Sequence, residues 1–179
     1  MKKNDIILAI ICGLAVAWIA SDFLVKYSWI FFIILPILSI AGLLLCDIFG
    51  KKFLFIRQAG KFVLAGSFAD VIDIKVFQIL FLLLPFSLLV KSISFVIATA
   101  IKYWANKHWA FEKPESGQVV QFFLVTLIGL AIDVVSFYYL SRINIGILMK
   151  LWVELTIIAA AIITSIWNFL GYKFLVFKK

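Results

Sequence analysis

The chain consists largely of six long apolar runs separated by short polar stretches. The runs cover residues 6–20, 29–46, 62–84, 86–101, 119–140 and 148–170. About 20 apolar residues in a helix cross the hydrocarbon core of a bilayer. With 65% hydrophobic and 15% charged residues, the composition excludes an ordinary soluble domain, in which about 25% of residues are charged. We therefore predict an all-α integral membrane protein with six transmembrane helices.

The distribution of basic residues predicts the orientation of the chain. If all six runs cross the membrane, twelve lysines and arginines fall on the side of the termini and four on the other side. Because basic segments stay in the cytoplasm, both termini are predicted to be cytoplasmic, in a plasma or inner membrane. The net charge of +8 then faces anionic lipid rather than nucleic acid, since no basic soluble domain is present. A cleaved signal peptide is the competing interpretation of the first, short run, which follows Lys2 and Lys3.

Two segments of the chain repeat each other without a gap. Residues 61–80 align with residues 121–140, and both copies carry an aspartate, Asp73 or Asp133, within an apolar run. A charge at that depth costs about 2.5–3.5 kcal/mol on insertion scales, so its repetition points to a functional site. Repeats of this kind occur in membrane proteins that bind a substrate between related halves. Four of the six helices are therefore predicted to form two tandem two-helix repeats.

Polar stretches and turn-forming residues divide the chain into three parts. Residues 1–50 form a transmembrane hairpin outside the repeat, and residues 51–60 form an amphipathic linker at the cytoplasmic surface. The four-helix domain covers residues 61–179, with repeats at 61–113 and 119–179. Turns are predicted at Pro85, between the repeats, and at 141–146, where Pro, Gly, Ser and Asn are frequent.

The sequence contains no pattern typical of an enzyme. Nucleotide-binding glycine loops and zinc or hydrolase motifs are absent, and the only histidine is His108. Cys12 and Cys46 stand in apolar runs without metal-ligand spacing. We predict no catalytic residue, no cofactor and no metal.

The second helix of each repeat closes with a related motif. In both, a lysine, Lys107 or Lys173, stands four residues before a closing phenylalanine, Phe111 or Phe177. This spacing puts the ammonium about one helical turn from an aromatic ring, with the amine toward the head groups.

These motifs resemble the GtrA-like family of small membrane proteins, which is related to the membrane domain of some dolichol-phosphate mannosyltransferases. The resemblance covers about residues 58–179. It rests on Arg57-Gln58 with Lys61-Phe62, Gln121-Phe122, Asp73, Asp133, Asn106 to Phe111, and Asn168-Phe169 with Lys173 and Phe177. It implies flipping of a polyprenyl-phosphate-linked sugar for glycosylation of a cell-envelope polysaccharide, together with a membrane-associated glycosyltransferase. Two departures stand out: Lys102 replaces Asn168 in the first repeat, and the hairpin at 1–50 is additional.

The acidic residues of the repeat have two interpretations. Asp73 and Asp133 can bind sugar hydroxyls or carry protons, or they can be hydrogen-bonded packing residues. Asp70 lies on the same helix face as Asp73 and can share a proton with it. Lys75 lies on another face, where we expect structural pairing with a residue such as Asp133.

The closing motifs supply candidates for recognition of the lipid phosphate. Lysine offers a point charge and asparagine a neutral donor. The candidates are Asn106, Lys107, Trp109, Asn168 and Lys173. The alternative is ordinary anchoring at the membrane surface, which is the favoured role for Trp109, Phe111 and Phe177.

Three functions remain open at this point. The first is a translocase for a polyprenyl-phosphate-linked sugar, for which a homodimer would supply a larger cavity. The second is a non-transporting anchor or scaffold for a glycosyltransferase, in which Asp73 and Asp133 would be dispensable. The third and weakest is a small proton-coupled multidrug exporter.

Overall fold

A computed structural model describes residues 2–23, 28–84, 86–113, 118–143 and 149–177 of the chain. It contains six α-helices, and two of them continue into five-residue π-helical segments. The helices are α1 (Lys3–Phe23), α2 (Ser28–Gly50), α3 (Leu54–Leu83), α4 (Ser87–Ala105), α5 (Val119–Ser141) and α6 (Met149–Gly171). The π-helical segments are π1 (Asn106–Ala110), which follows α4, and π2 (Tyr172–Val176), which follows α6.

The helices group into two compact units, Met1–Glu112 and Lys113–Lys179. The first unit contains α1 to α4 with π1, and every one of these elements contributes to its core: α1, α3 and α4 through small residues, α2 through a leucine and π1 through a large ring. That core consists of Ala9, Cys12, Leu43, Ala65, Ala105 and Trp109. The N-terminal hairpin therefore shares a hydrophobic core with the first repeat.

Close backbone approach holds the hairpin itself together. A Cβ atom placed on Gly13 of α1 would lie 2.7 Å from the backbone nitrogen of Pro36 and 2.9 Å from the carbonyl carbon of Leu35 in α2. Only glycine allows two helices to come this near. Pro36 lies within α2, where its ring removes one backbone hydrogen bond and where membrane helices tolerate it.

The second unit contains α5, α6 and π2. Its core is aromatic: the rings of Phe122 and Tyr172 stack with centroids 4.2 Å apart, and Phe177 packs against both. The closing phenylalanines Phe111 and Phe177 are both buried. The expectation that these two rings anchor the chain at the membrane surface is therefore wrong.

Both closing motifs fold into π-helix. The backbone N–H of Phe111 donates to the carbonyl of Asn106 at 2.9 Å, and that of Phe177 donates to Tyr172 at 2.8 Å. An i→i+5 bond of this kind is rare and is found frequently at functional sites. The two halves thus share an uncommon local conformation at matching positions of their sequences.

Within the part of the chain that the structure describes, four helices are long and apolar enough to cross a membrane: Lys3–Asp22, Ser28–Gly50, Val119–Ser141 and Leu155–Val176. The chain is a helical membrane protein. The predicted third and fourth spans correspond to α3 and α4, which carry charged residues along their length. Among the described residues, α3 and α4 do not combine length, high hydropathy and few charges as the other four helices do. Six spans therefore remain a prediction.

The predicted linker at 51–60 is not a separate element. Lys51 and Lys52 form a turn, and α3 begins at Leu54, so residues 54–60 are its first two turns. Pro85, residues 114–117 of the turn predicted at 112–118 and residues 144–146 of the turn predicted at 141–146 lie outside the described residues.

Candidate functional site

Asp73 of α3 is bound by two residues of α4. Its carboxylate accepts a hydrogen bond from the hydroxyl of Ser94 at 2.6 Å and pairs with the ammonium of Lys91. Ser94 is fully buried, whereas Lys91 is exposed. Asp73 therefore has a charged partner within its own unit.

Asp133 of α5 has a different environment. Its carboxylate accepts a hydrogen bond from the hydroxyl of Thr164 in α6 at 3.2 Å. Among the described residues it makes no ion pair. Both repeated aspartates therefore contact a hydroxyl of the following helix, but only Asp73 is neutralised by a lysine.

The two other charged candidates of α3, Asp70 and Lys75, make different contacts from Asp73. Asp70 is exposed and receives no hydrogen bond from the described residues, although Lys102 and Lys91 act on it electrostatically. Lys75 pairs with Asp22 at the end of α1, at 2.6 Å, and lies over the ring of Trp18. The expectation that Lys75 pairs structurally is met by Asp22, and Asp133 was the wrong partner.

Polar residues follow the contact between α5 and α6 turn by turn. At one level Asp133 meets Thr164, and at another the hydroxyls of Thr126 and Tyr172 lie 2.6 Å apart. Between these levels, the amide of Asn168 lies against Gly129, where a Cβ atom would collide with Asn168 Oδ1. Residues 164, 168 and 172 together span about 12 Å along the helix axis. We call these five polar residues (Thr126, Asp133, Thr164, Asn168 and Tyr172) the polar seam.

Asn168 is the part of the polar seam with unused hydrogen-bonding capacity. It is buried, and its Oδ1 has no hydrogen-bond partner among the described residues. A buried amide oxygen in this state costs about 1–3 kcal/mol. Native structures retain such groups chiefly where a ligand, water or function requires them.

Asn106 of π1 has a similar open acceptor. Its side-chain amide donates to the carbonyl of Lys102 at 2.7 Å, while its Oδ1 is buried without a hydrogen-bond partner among the described residues. Asn106 corresponds in the second half to Tyr172, the residue that begins π2. The two candidate asparagines therefore occupy successive turns rather than matching positions.

Lys107 and Lys173 are the second residues of π1 and π2. The ammonium of Lys107 lies 5.6 Å from the ring centre of Tyr103, and that of Lys173 lies 5.9 Å from the ring centre of Phe169. In both cases the ring belongs to the residue four positions earlier. Cation–π contacts of this kind hold a lysine head group in place without neutralising its charge.

Trp109 lies in a buried ion cluster. Its indole N–H donates to the carboxylate of Asp5 in the first turn of α1, at 3.0 Å. The same carboxylate binds Lys61 at 2.8 Å and Arg57 at 3.4 Å. Asp5 and Lys61 are each only 2% exposed. Neither of the two predicted roles of Trp109, surface anchor and phosphate ligand, includes this hydrogen bond to Asp5.

The cluster continues outward through Glu112, which follows π1. Lys61 binds one oxygen of the Glu112 carboxylate and Lys2 binds the other, both at 2.9 Å. Partial burial opposes ionisation, but the hydrogen bonds from these two lysines outweigh it, so the pKa of Glu112 lies below its usual value. On the other side of the cluster, Arg57 binds Asp47 at 3.1 Å. Asp5, Lys61, Trp109, Arg57, Asp47, Glu112 and Lys2 form what we call the ion cluster.

Sequence reasoning missed the ion cluster as a unit. Its members are separated by up to 110 residues, as in the pair of Lys2 and Glu112, and no short motif connects them. One signal was available: Asp5, Asp47 and Glu112 are acids on the predicted cytoplasmic side, where most charged residues are basic. Acids among many lysines are expected to find partners.

A search of family models identifies the class of protein that this fold and these motifs define. Residues 61–177 match the model of the GtrA/DPMS transmembrane domain. The chain belongs to this family, whose members have a membrane role related to polyprenyl-phosphate sugars. No curated protein and no solved structure matches the chain. Both π-helical segments and the polar seam lie within the matched residues, whereas Asp5, Asp47 and Arg57 precede them.

Proposed function

We propose that the chain translocates a polyprenyl-phosphate-linked sugar across the plasma or inner membrane for cell-envelope polysaccharide synthesis. The isoprenoid tail can remain in lipid throughout this movement. The sugar cannot, because each hydroxyl placed in hydrocarbon without a hydrogen-bond partner costs several kcal/mol. A protein solves this problem by offering fixed polar groups along the way.

The polar seam is the observation that supports this proposal. It places acceptors and donors at successive turns of α5 and α6, and Asn168 Oδ1 is free to accept a hydrogen bond. In this scheme Asp133 and Asn168 bind hydroxyls of the sugar. Lys173, at the second residue of π2, binds the lipid phosphate at the end of the polar seam, with Lys107 and Asn106 as first-half counterparts.

The two aspartates have different proposed roles. Asp73 is neutralised by Lys91, so its carboxylate is held in place, whereas Asp133 has only Thr164 among the described residues. Asp133 is therefore the better acceptor for a passing hydroxyl. Asp73, with Asp70 and Lys91 nearby, is better suited to respond to protonation or to changes in charge.

This role is that of a transporter rather than an enzyme. The sugar would be delivered to, or received from, a membrane-associated glycosyltransferase, and the basic cytoplasmic side with both termini would contact anionic lipid. A homodimer would enlarge the polar space available to the sugar.

Reconstitution into vesicles tests the proposal directly. The substrate is a labelled short-chain prenyl-phosphate sugar, and translocation is scored by its exposure to a membrane-impermeant reagent. We expect the wild-type chain to accelerate exposure. Asp133→Asn should slow it about tenfold, which corresponds to the loss of about 1.4 kcal/mol of hydrogen bonding in the rate-limiting state.

The matched control is Asp22→Asn, which removes an acid from α1 outside the polar seam and should translocate at the wild-type rate. Equal exposure with and without protein would exclude translocation. In that case, retention of a glycosyltransferase at the membrane by the Asp133→Asn chain would favour a scaffold. Proton uptake driven by cationic drugs would instead favour an exporter.

A further inference from the structure

The outer part of the ion cluster has the geometry of an occupied anion site. The carboxylate of Glu112 bridges two ammonium groups, those of Lys61 and Lys2, through separate oxygens at 2.9 Å each. A phosphate group can form the same bridge, because it also presents several acceptor oxygens to point charges. None of the three residues has a role in the translocation scheme above.

The cluster has a fixed inner side and an accessible outer side. Lys61 and Asp5 are each 2% exposed, and their ion pair is enclosed by Arg57 and Trp109. Glu112 is 45% exposed and Lys2 is 64% exposed. A ligand arriving from solvent or from the membrane surface would therefore meet Glu112 first and could leave the pair of Asp5 and Lys61 intact.

Electrostatics favours replacement of Glu112 by another anion. Two ammonium groups bind Glu112, and when it withdraws Lys61 keeps the Asp5 carboxylate as its anionic partner among the contacts described. That carboxylate is shared with Arg57 and with the indole of Trp109. An anion that takes the place of Glu112 restores a second negative partner to Lys61 and a partner to Lys2.

The backbone of Glu112 is also strained. Its φ angle is +52°, and among the described residues it is the one non-glycine residue with a positive φ. A left-handed conformation costs a residue with a side chain about 1–2 kcal/mol. The carboxylate is bound by the two lysines while the backbone is in this conformation.

We infer that Glu112 holds the place of a lipid phosphate group, which displaces it and then bridges Lys61 and Lys2 through two of its oxygens. Asp5 binds Lys61 from the buried side of the cluster, and Arg57 and Trp109 bind Asp5 in turn. This inference rests on the proposed function for the identity of the ligand, a lipid phosphate, and it assigns the entry site to residues other than Lys107 and Lys173.

Equilibrium binding to the full chain in zwitterionic nanodiscs tests the inference, with a short-chain prenyl monophosphate as the probe. Glu112→Gln should bind the probe about tenfold more tightly than wild type, because the internal competitor is removed and the site is open a larger fraction of the time. Lys2→Gln should weaken binding about fivefold, since an exposed lysine contributes less than a buried one. Lys2 is exposed, so this variant is not expected to impair folding.

The control for net charge is Glu115→Gln, which makes the same charge change three positions further along the chain and should leave affinity unchanged. Lys61→Gln should abolish binding in any preparation that remains folded. Equal affinities for wild type, Glu112→Gln and Lys2→Gln would overturn the inference, as would tighter binding in Glu115→Gln that matches the gain in Glu112→Gln.

Two further arms identify the ligand and separate this inference from the proposed function. Inorganic phosphate that competes with the same dependence on Glu112 supports the anion site and assigns the binding energy to the phosphate, whereas competition by the matching prenyl alcohol would overturn it. Variant-dependent binding without translocation would retain the site and reject the translocase. Translocation with binding that is insensitive to Glu112 and Lys2 would do the reverse.

Discussion

The two predicted repeats both end in a π-helical segment but differ in charge where the first one contacts α1. Lys61 and Lys75 of the first repeat bind the two aspartates of α1, Asp5 and Asp22. Their counterparts sixty positions later are neutral: Gln121 and Val135. Lys61 and Lys75 are about 21 Å apart along α3, so the hairpin is fixed near both ends. The first repeat therefore carries two contacts to the N-terminal hairpin that the second repeat has no residues to make.

The repeats also solve one packing problem in opposite ways. In the second unit, Val125 of α5 fits against Gly171 of α6, where a Cβ atom would lie 3.4 Å from Val125 Cγ2 and still closer to Cγ1. At matching positions the first unit has Ala65 and Ala105, both buried in its core. In the second unit a valine packs against a glycine, which has no side chain, and in the first unit both residues are alanines. The helices can therefore approach closely in both units.

The largest expected effect comes from removal of the buried cation that distinguishes the first repeat. Lys61→Met leaves Asp5 buried without its ammonium partner, with the longer contact to Arg57, the indole of Trp109 and the backbone N–H of Lys2. Breaking a buried pair in this way should lower the free energy of unfolding by about 3–5 kcal/mol. Unfolding in mixed micelles by added anionic detergent measures the change.

The control for this prediction is Gln121→Met, the same substitution at the matching position, which should change stability by less than about 0.5 kcal/mol. The double variant Asp5→Asn with Lys61→Met should recover part of the loss, because both charges are then removed. Similar losses at positions 61 and 121 would show that the hairpin contact does not distinguish the repeats.

The second prediction concerns the packing difference. Gly171→Ala should destabilise the chain by about 1–3 kcal/mol, because the new methyl group collides with Val125 in the packed contact between α5 and α6. Adding Val125→Ala recreates the pair found in the first repeat and should restore most of the stability. The same detergent titration measures both variants.

Gly66→Ala provides the reference for a glycine without neighbours, since nothing lies within 4 Å of its Cβ position. It should stabilise α3 by about 0.5–1 kcal/mol, through the lower conformational freedom of the unfolded chain. If Val125→Ala fails to rescue Gly171→Ala, the two repeats do not solve the same packing problem.

The sequence was sufficient to predict features that depend on local pattern. The apolar run at 119–140 became α5, Val119–Ser141, because a continuous apolar helix needs no distant partner. Aligned copies of one motif also placed Asp73 and Asp133 at corresponding positions. The start of α3 was not predicted, because Phe53, Leu54 and Phe55 have the composition of a surface segment and of a helix alike.

Features that depend on distant partners or on fine backbone geometry were not predictable. The ion cluster joins Asp5 to Trp109, 104 positions away. Taken singly, its members do not differ from residues found at ordinary membrane-protein surfaces. The π-helical segments differ from α-helix by one residue per hydrogen-bonded ring, and Asn106 and Tyr172, which begin them, share no side-chain chemistry. Only the matching lysine and phenylalanine marked these segments as a pair.

The third prediction uses the acid that bridges the ion cluster, which has no counterpart contact in the second unit as described. The pKa of Glu112 is lowered by its two lysines, so its contribution to stability is present above the ordinary glutamate pKa of 4.5. It is lost as the pH falls through the lowered value. We expect wild type to lose stability below about pH 4.5, with Glu112→Gln lacking that part of the loss.

Detergent titrations at a series of pH values measure this difference between the two proteins. Because Glu112 is half exposed, solvent screens the pair and the difference should be small. Parallel profiles for wild type and Glu112→Gln would show that Glu112 does not hold π1 to the N-terminus.

The smallest expected effect concerns the second contact between α1 and the first repeat. Lys75→Val introduces the residue of the matching position in the second repeat and removes the pair with Asp22 and the contact with Trp18. Asp22 is 39% exposed, so it can remain hydrated when its partner is lost, and the change should be about 0–1 kcal/mol. Ile74→Val, at the exposed neighbouring position, controls for the change of side-chain volume. A loss as large as that of Lys61→Met would mean that both ends of α1 are held equally, and that the buried end of the hairpin is not its principal attachment.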